Sequence, residues 1–302
     1  MSDSHLHLYP HRRGEPLPAP PPEAYPLAHI EAYFEHAAAE GITELAFTEH
    51  LYRCVEAADV LGPIWERAED PKSRANTKAD LLADRTMSLE RYVEVILKAK
   101  DAGLPVLLGL EVDFFPDTID AALELIEPYP FDILLGSIHW IDGWWFDRIH
   151  SIHEWMTRPH REVYERFFQM QSELAASGKV DVITHPDRVK YLGHRLKEEP
   201  TDLYDMLVRA AVAGDTAMEI NTGGLRHPSH EMYPSPSLLK MAKDGGLDIT
   251  FGSDGHNPRQ AGWGLDLARS EACSAGFTHR ARFVARKKTL VPFQPPGPGF
   301  CD

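Results

Sequence analysis

Histidines and carboxylates stand where short apolar runs end. Asp3-Ser4-His5-Leu6-His7 opens the chain, and later runs close on His50 (LAFTEH), Glu111 (VLLGLE), His139 (DILLGSIH), His185 (VDVITH) and the pair Asp254 and His256 (ITFGSDGH). Imidazole nitrogens and carboxylate oxygens are common ligands of zinc, manganese and iron. His5 and His7, at i and i+2 of an extended strand, point the same way and can clasp one ion. Asp254 and His256 repeat that spacing in a turn whose glycines permit a tight backbone. Glu111 ends an apolar run, where an unpaired carboxylate is costly, and bridging two ions would satisfy both its oxygens. Each residue alone has an ordinary alternative: Glu111 could pair with an arginine, and His139 or His185 could be a satisfied core histidine. Together, at six run ends, they point to the polynuclear centre of a metallohydrolase.

Positioning such ligands requires many strands that end on one rim. The apolar runs, bounded by Gly, Pro and polar residues, look like buried strands of a parallel sheet near 2–6, 43–48, 105–111, 131–137, 180–184, 216–220 and 248–252. Helical patterns alternate with them at about 27–40, 87–102, 117–126, 160–177, 201–214, 235–244 and 258–272. Seven strand–helix units imply one α/β barrel over residues 1–302, with its chemistry at the C-terminal ends of the strands. The stretch from Pro16 to Pro26 reads as a loop. Residues 51–86, charged and without a clear period, are an insertion over the rim and a candidate lid. Residues 139–160, rich in Trp and His, are a second insertion, and the tail from Pro292 reads as irregular.

The net charge of −15 argues against nucleic acid or a membrane surface as partner. Three cysteines, Cys54, Cys273 and Cys301, without CxxC spacing suggest neither disulfides nor a thiolate site, and a reducing cytoplasm fits. The N-terminus lacks a basic segment followed by an apolar stretch, so secretion is not expected. Self-association into a homo-oligomer stays open.

The order DSHLH, FTEH, GLEVD, LLGSIHW, ITHPD, EINTGG and FGSDGH resembles the polymerase and histidinol phosphatase (PHP) superfamily along essentially the whole chain. GSIHWIDGWWFD, EINTGGLR followed by MYPS, and GSDGHNP are most similar to its histidinol-phosphatase type. The resemblance implies a distorted seven-stranded (β/α) barrel with three divalent ions, zinc, manganese or iron. By motif, the first ion would take His5, His7, Glu111 and Asp254, and the second Glu111, His139 and His185. The third would take His50, His256 and a histidine after the first pair, for which His11 is the candidate, closer to His7 than the family pattern.

The activity implied is hydrolysis of a small phosphate ester, L-histidinol phosphate above all, by a hydroxide bridging two ions across Glu111. Arg226 and Arg188 are candidates to grip phosphate, since a guanidinium holds two oxygens at once. Asp254 or His256 could protonate the leaving oxygen. Glu219, Asp142, Asp147 or Glu49 could receive a substrate ammonium, and Trp140, Trp144, Trp145 and Trp155 either wall the substrate or pack the rim. The run Arg280, Arg282, Arg286, Lys287 and Lys288 reads as a solvated face of the last helix, and His150, His153 and His160 as an extra metal site or a wet loop. Alternatives are another PHP phosphoesterase, acting on a sugar phosphate, nucleotide or phosphodiester, and a barrel that binds without turnover. An amidohydrolase-like enzyme is disfavoured because no lysine ends a strand.

Overall fold

The computed structural model describes residues 1–9, 11 and 27–295. The Pro16–Pro26 loop and residues 296–302, including Cys301, lie outside the described residues. Strand β1 (Ser2–Leu6), helix α1 (Leu27–Ala39) and strand β2 (Glu44–His50) come first. Helices α2 (Ala57–Leu61), α3 (Pro71–Asp84) and α4 (Leu89–Asp101) precede β3 (Val106–Asp113), α5 (Ile119–Ile126) and β4 (Ile133–Ser137). A short hairpin, β5 (Trp140–Ile141) and β6 (Trp144–Trp145), leads to α6 (Ile152–Trp155), α7 (His160–Ala176) and β7 (Val182–Ile183). Then come α8 (Thr201–Ala213), β8 (Ala217–Asn221), α9 (Pro236–Asp244), β9 (Ile249–Gly252) and α10 (Leu265–Ala275). A hairpin of β10 (His279–Val284) and β11 (Lys287–Pro292) follows. Among the described residues, no helix is long and apolar enough to cross a membrane.

Seven parallel strands pair in the order β1-β2-β3-β4-β7-β8-β9. The last returns to the first. Asp254 N donates to His5 O at 2.9 Å and His7 N to Gly255 O at 2.8 Å, so the sheet curls into the expected seven-stranded barrel. Asp3, fully buried, locks this seam by accepting from Ser253 N (2.9 Å), Ser253 Oγ (2.5 Å) and Gly262 N (2.8 Å).

Strand alternation stacks the interior in layers. Ala46, Leu107, Ile133, Leu135, Val182 and Ala217 form an apolar floor with Ala281 and Phe283 of the hairpin. Two residues further along β2, β3, β4 and β8, the same inward phase carries Thr48, Gly109, Ser137 and Glu219, and beyond them come His50, Glu111 and His139. The metal-type side chains are therefore the upper layer of the barrel interior.

Three expectations are corrected. The basic run lies on the β10–β11 hairpin and its turn, not on a helix, and it clasps carboxylates at the N-terminal ends of barrel strands. Arg282 pairs with Glu44, Arg286 with Asp181 (3.1 Å), and Lys288 with Asp215 and Asp248 (2.9 Å). The last helix begins at Leu265 rather than 258, because Gly262 and Gly264 adopt φ of 75° and 73° and interrupt the earlier turn. Residues 51–86 contain α3, capped by Asp70, which accepts from Ser73 N, and started by Pro71. Its inward stripe is Ser73, Thr77, Leu81 and Asp84, so the helical period is largely polar and escapes a hydrophobic reading. The four tryptophans all pack, each about 1% exposed, with rings of Trp140 and Trp145 4.5 Å apart and of Trp144 and Trp155 5.2 Å apart.

Asp3→Ala would leave three buried donors at the seam without an acceptor. We expect a loss of about 3 kcal/mol or more in denaturant unfolding. Unchanged stability would show that the seam does not depend on this carboxylate.

Candidate metal centre

Each ligand-type residue sits where a barrel strand runs out. His5 lies within β1 and His7 just past it, and His50 and Glu111 face each other in the β2–β3 register. His139, His185 and Asp254 follow β4, β7 and β9 by two residues. His185 and Asp254 adopt positive φ, 31° and 54°, a strained backbone of the kind that clusters at functional sites.

Glu111 is fully buried at the middle of the group. Its Oε2 lies 3.4 Å from His5 Nε2, 3.5 Å from His7 Nε2 and 2.8 Å from His50 Nδ1. Its Oε1 faces the other side, 3.0 Å from His185 Nε2 and 3.7 Å from His139 Nε2. Asp254 Oδ1 stands 3.8 Å from His5 Nε2 and 3.5 Å from His7 Nε2. The potential ligand atoms fall into overlapping sets within 4.8 Å: His5, His7 and Asp254; Glu111, His139 and His185; and His7, His50 and His256. His11 joins the last, its Nε2 3.0 Å from His256 Nε2.

Carboxylates behind the ring orient several imidazoles. Glu219 Oε1 is 2.8 Å from His5 Nδ1, Asp113 Oδ1 2.7 Å from His139 Nδ1, and Asp84 Oδ2 2.7 Å from His11 Nδ1. Glu49 Oε2 is 3.7 Å from His7 Nδ1. Glu219 also accepts from Thr184 Oγ1, His185 N (2.9 Å) and Asn221 Nδ2 (3.0 Å). Gly252 is required above it, since a Cβ there would come within 2.0 Å of Glu219 Oε1. The sequence offers Glu219 and Glu49 for a substrate ammonium rather than for this orienting role and does not single out Asp84 or Asp113, although Glu219 and Asp113 occupy the same strand phase as the ligand candidates.

Burial pushes Glu111 upward, yet the surrounding imidazoles, His50 first, outweigh it and hold it well below the usual carboxylate range. Asp254 behaves likewise, burial being outweighed by His5 and His7. Burial dominates at His50 and His185, lowered to about 3 and about 4, and holds His256 and His11 well below ordinary histidine. At His5, His7 and His139 burial is instead outweighed by neighbouring carboxylates, Glu219 first for His5, Asp254 and Glu49 for His7 and Asp113 for His139, and these rings are raised above ordinary histidine. Two ionised carboxylates thus stand among four imidazoles that burial keeps neutral and three that would give up a proton to bind a cation. Two atoms that face the centre agree: Glu111 Oε2 and His50 Nδ1 are buried and, although 2.8 Å apart, have no well-aligned hydrogen bond among the described residues. The residues present therefore fit divalent metal. Asp254 and His256, both unprotonated at neutral pH, suit ligation better than the proton donation suggested for them.

Above the ring opens a cavity of about 510 Å³. His11, His50, His139, Asp254 and His256 form its metal side, and Arg148, Arg188 and Arg226 face it. Arg226 Nη2 donates to the carbonyls of Ser253 (2.7 Å) and Asp254 (3.0 Å), while its Nη1 has no hydrogen-bond partner among the described residues. Its charge is thus not cancelled by a direct carboxylate partner. Arg188 Nε donates to Asp147 Oδ2 at 2.7 Å, and its Nη1 reaches Asp254 Oδ2 at 3.5 Å. Arg148, stacked 4.0 Å over Trp145, was missed in sequence.

Of the carboxylates considered for an ammonium, only Asp147 lines the cavity; Glu219 and Glu49 orient histidines, and Asp142 pairs with Arg166. His150, His153 and His160 do not converge, lying against Asp80, Asp70 and the Trp155 carbonyl.

A parallel barrel with a His and carboxylate cluster at its C-terminal rim defines a metallohydrolase class. The PHP domain matches residues 27–223, and the chain belongs to that family. It is 30% identical over 294 residues to the protein of Deinococcus radiodurans named probable histidinol-phosphatase, covering 93% of this chain and 97% of that one. It is 26% identical to the histidinol-phosphatase of Bacillus subtilis, over 78% of this chain and 90% of the relative. Its fold is similar to that of histidinol phosphate phosphatase from Lactococcus lactis, solved with zinc, L-histidinol and phosphate. The TM-score is 0.67 at 21% identity, over 95% of this chain and 98% of the other.

Glu219→Gln should leave the barrel folded and weaken zinc binding by about 10-fold or more. Chelator competition on the purified protein checks this, and wild-type affinity would mean that Glu219 does not aim His5.

Proposed function

We propose that the chain is a metal-dependent phosphomonoesterase that hydrolyses L-histidinol phosphate to L-histidinol and phosphate. The observation that carries the chemistry is Glu111, whose two oxygens face separate imidazole sets beneath a cavity with arginines on its wall. The substrate rests on the relatives, named as histidinol-phosphatases and aligned over most of the chain.

Three divalent ions, zinc, manganese or iron, fit the three ligand sets. His5, His7, Glu111 and Asp254 would hold the first, Glu111, His139 and His185 the second, and His11, His50 and His256 the third. Such ions lower the pKa of water to make a nucleophile at neutral pH and offset charge on the phosphoryl group. Glu111 would be shared by the first two positions, one carboxylate oxygen toward each imidazole set. Arg226, whose Nη1 has no hydrogen-bond partner among the described residues, and Arg188, braced by Asp147, would take the nonbridging phosphate oxygens as negative charge shifts among them. Trp145 and Tyr52 also line the cavity, the Tyr52 ring 4.8 Å from that of His50.

Phosphate release from L-histidinol phosphate, measured beside sugar phosphates, nucleotides and a phosphodiester with Mn²⁺ or Zn²⁺, tests the reading. We expect the highest kcat/KM for L-histidinol phosphate; activity confined to other esters would discard the substrate and keep the chemistry. Glu111→Gln should abolish turnover by several orders of magnitude with the fold retained. Arg226→Met should lower kcat/KM about 100-fold or more, as removal of one donor to a developing charge does elsewhere, and near wild-type values would remove Arg226 from phosphate binding.

A further inference from the structure

Arg53 lies just past β2, outside the ligand ring, yet its guanidinium is buried, with 4% of the side chain exposed. Its Nη1 donates to Glu49 Oε2 and to the Tyr9 carbonyl, both at 3.0 Å, and its Nε stands 3.3 Å from Asp84 Oδ1. Those two carboxylates are the ones behind His7 and His11. Tyr9, midway between the two histidines, is pinned at both backbone groups, since its N–H also donates to Glu49 Oε1 at 2.8 Å. One planar cation thus ties together the strand end that carries His7, the loop that carries His11, and the final residue of α3 within the 51–86 insertion. A guanidinium suits this task because it presents several donors in a rigid fork, which an ammonium does not.

We propose that Arg53 is a positioning residue for the metal centre: by cross-linking Glu49 and Asp84 it aims His11 into the centre, and so makes the ion held by His11, His50 and His256 depend on the 51–86 insertion. This explains how His11 serves despite standing only four residues past His7. Asp84 reaches in from the insertion, and Arg53 holds Asp84 against the short loop. The inference rests on the metal reading above, and its failure is separable from that reading, because the wild-type protein reports on the latter.

The test is a chelator titration of zinc-loaded full-length protein, with metal content read by elemental analysis and folding by circular dichroism. Wild type should carry three ions. In Arg53→Lys, which keeps the charge and loses the fork, one ion should leave at a chelator concentration about 10- to 100-fold lower than in wild type, the other two being unmoved. Asp84→Asn, which reads the same link without touching Arg53, should release the same single ion. The double variant should add little to either. Release curves of Arg53→Lys and Asp84→Asn that superimpose on wild type would overturn the proposal, as would a lowered Tm with unchanged zinc affinities or uniform loss of all ions. A wild-type protein that binds no zinc would instead sink the metal reading itself.

Discussion

A carboxylate removed from water must be matched by positive charge, and Glu111 is removed completely while five imidazoles stand within 4 Å of its two oxygens. Imidazoles compensate only in part, because burial lowers His50 and His185 while neighbouring carboxylates raise His5, His7 and His139. Divalent ions would resolve the conflict, since they can accept the lone pairs of neutral rings and the charge of the carboxylate together. The position of Glu111 on the inward phase of β3 then sets the centre of the site, and every other ligand is placed relative to it.

The barrel supplies that placement through its seam and its floor. Backbone bonds between β1 and the end of β9, locked by Asp3, bring residues 5 and 254 side by side although they are far apart in sequence. At the opposite end the β10–β11 hairpin seats Ala281 and Phe283 under the apolar layer and meets strand-start carboxylates with Arg282, Arg286 and Lys288. The polar layer is thus raised to the rim and backed by an apolar floor.

Much of this was legible in the sequence because it is written in strand ends. Apolar runs that stop at His, Glu or Asp declare both parallel strands and ligand candidates, so β1, β2, β3, β4, β7 and β9 could be read together with eight of the nine candidates, His11 coming only from the family resemblance, and the structure gathers those residues at one rim. What escaped has a physical cause in each case. The buried face of α3 is built from Ser73, Thr77 and Asp84 with a single leucine, which gives no hydrophobic period. The last hairpin turns at Ala285 and Arg286, φ 47° and 59°, without the glycine or asparagine that usually marks such a turn, so its basic residues were taken for a helix face. The orienting carboxylates Asp84, Asp113 and Glu219 act across long sequence separations, 73, 26 and 214 residues, which no local pattern reveals.

The central claim is that Glu111 bridges two ions, and the most direct test is a crystal structure of the zinc-loaded protein with anomalous scattering recorded at the zinc edge. The account predicts two peaks flanking Glu111, one shared with His5, His7 and Asp254 and the other with His139 and His185. A single peak, or Glu111 bound only to imidazole N–H groups with no ion on either side, would contradict it.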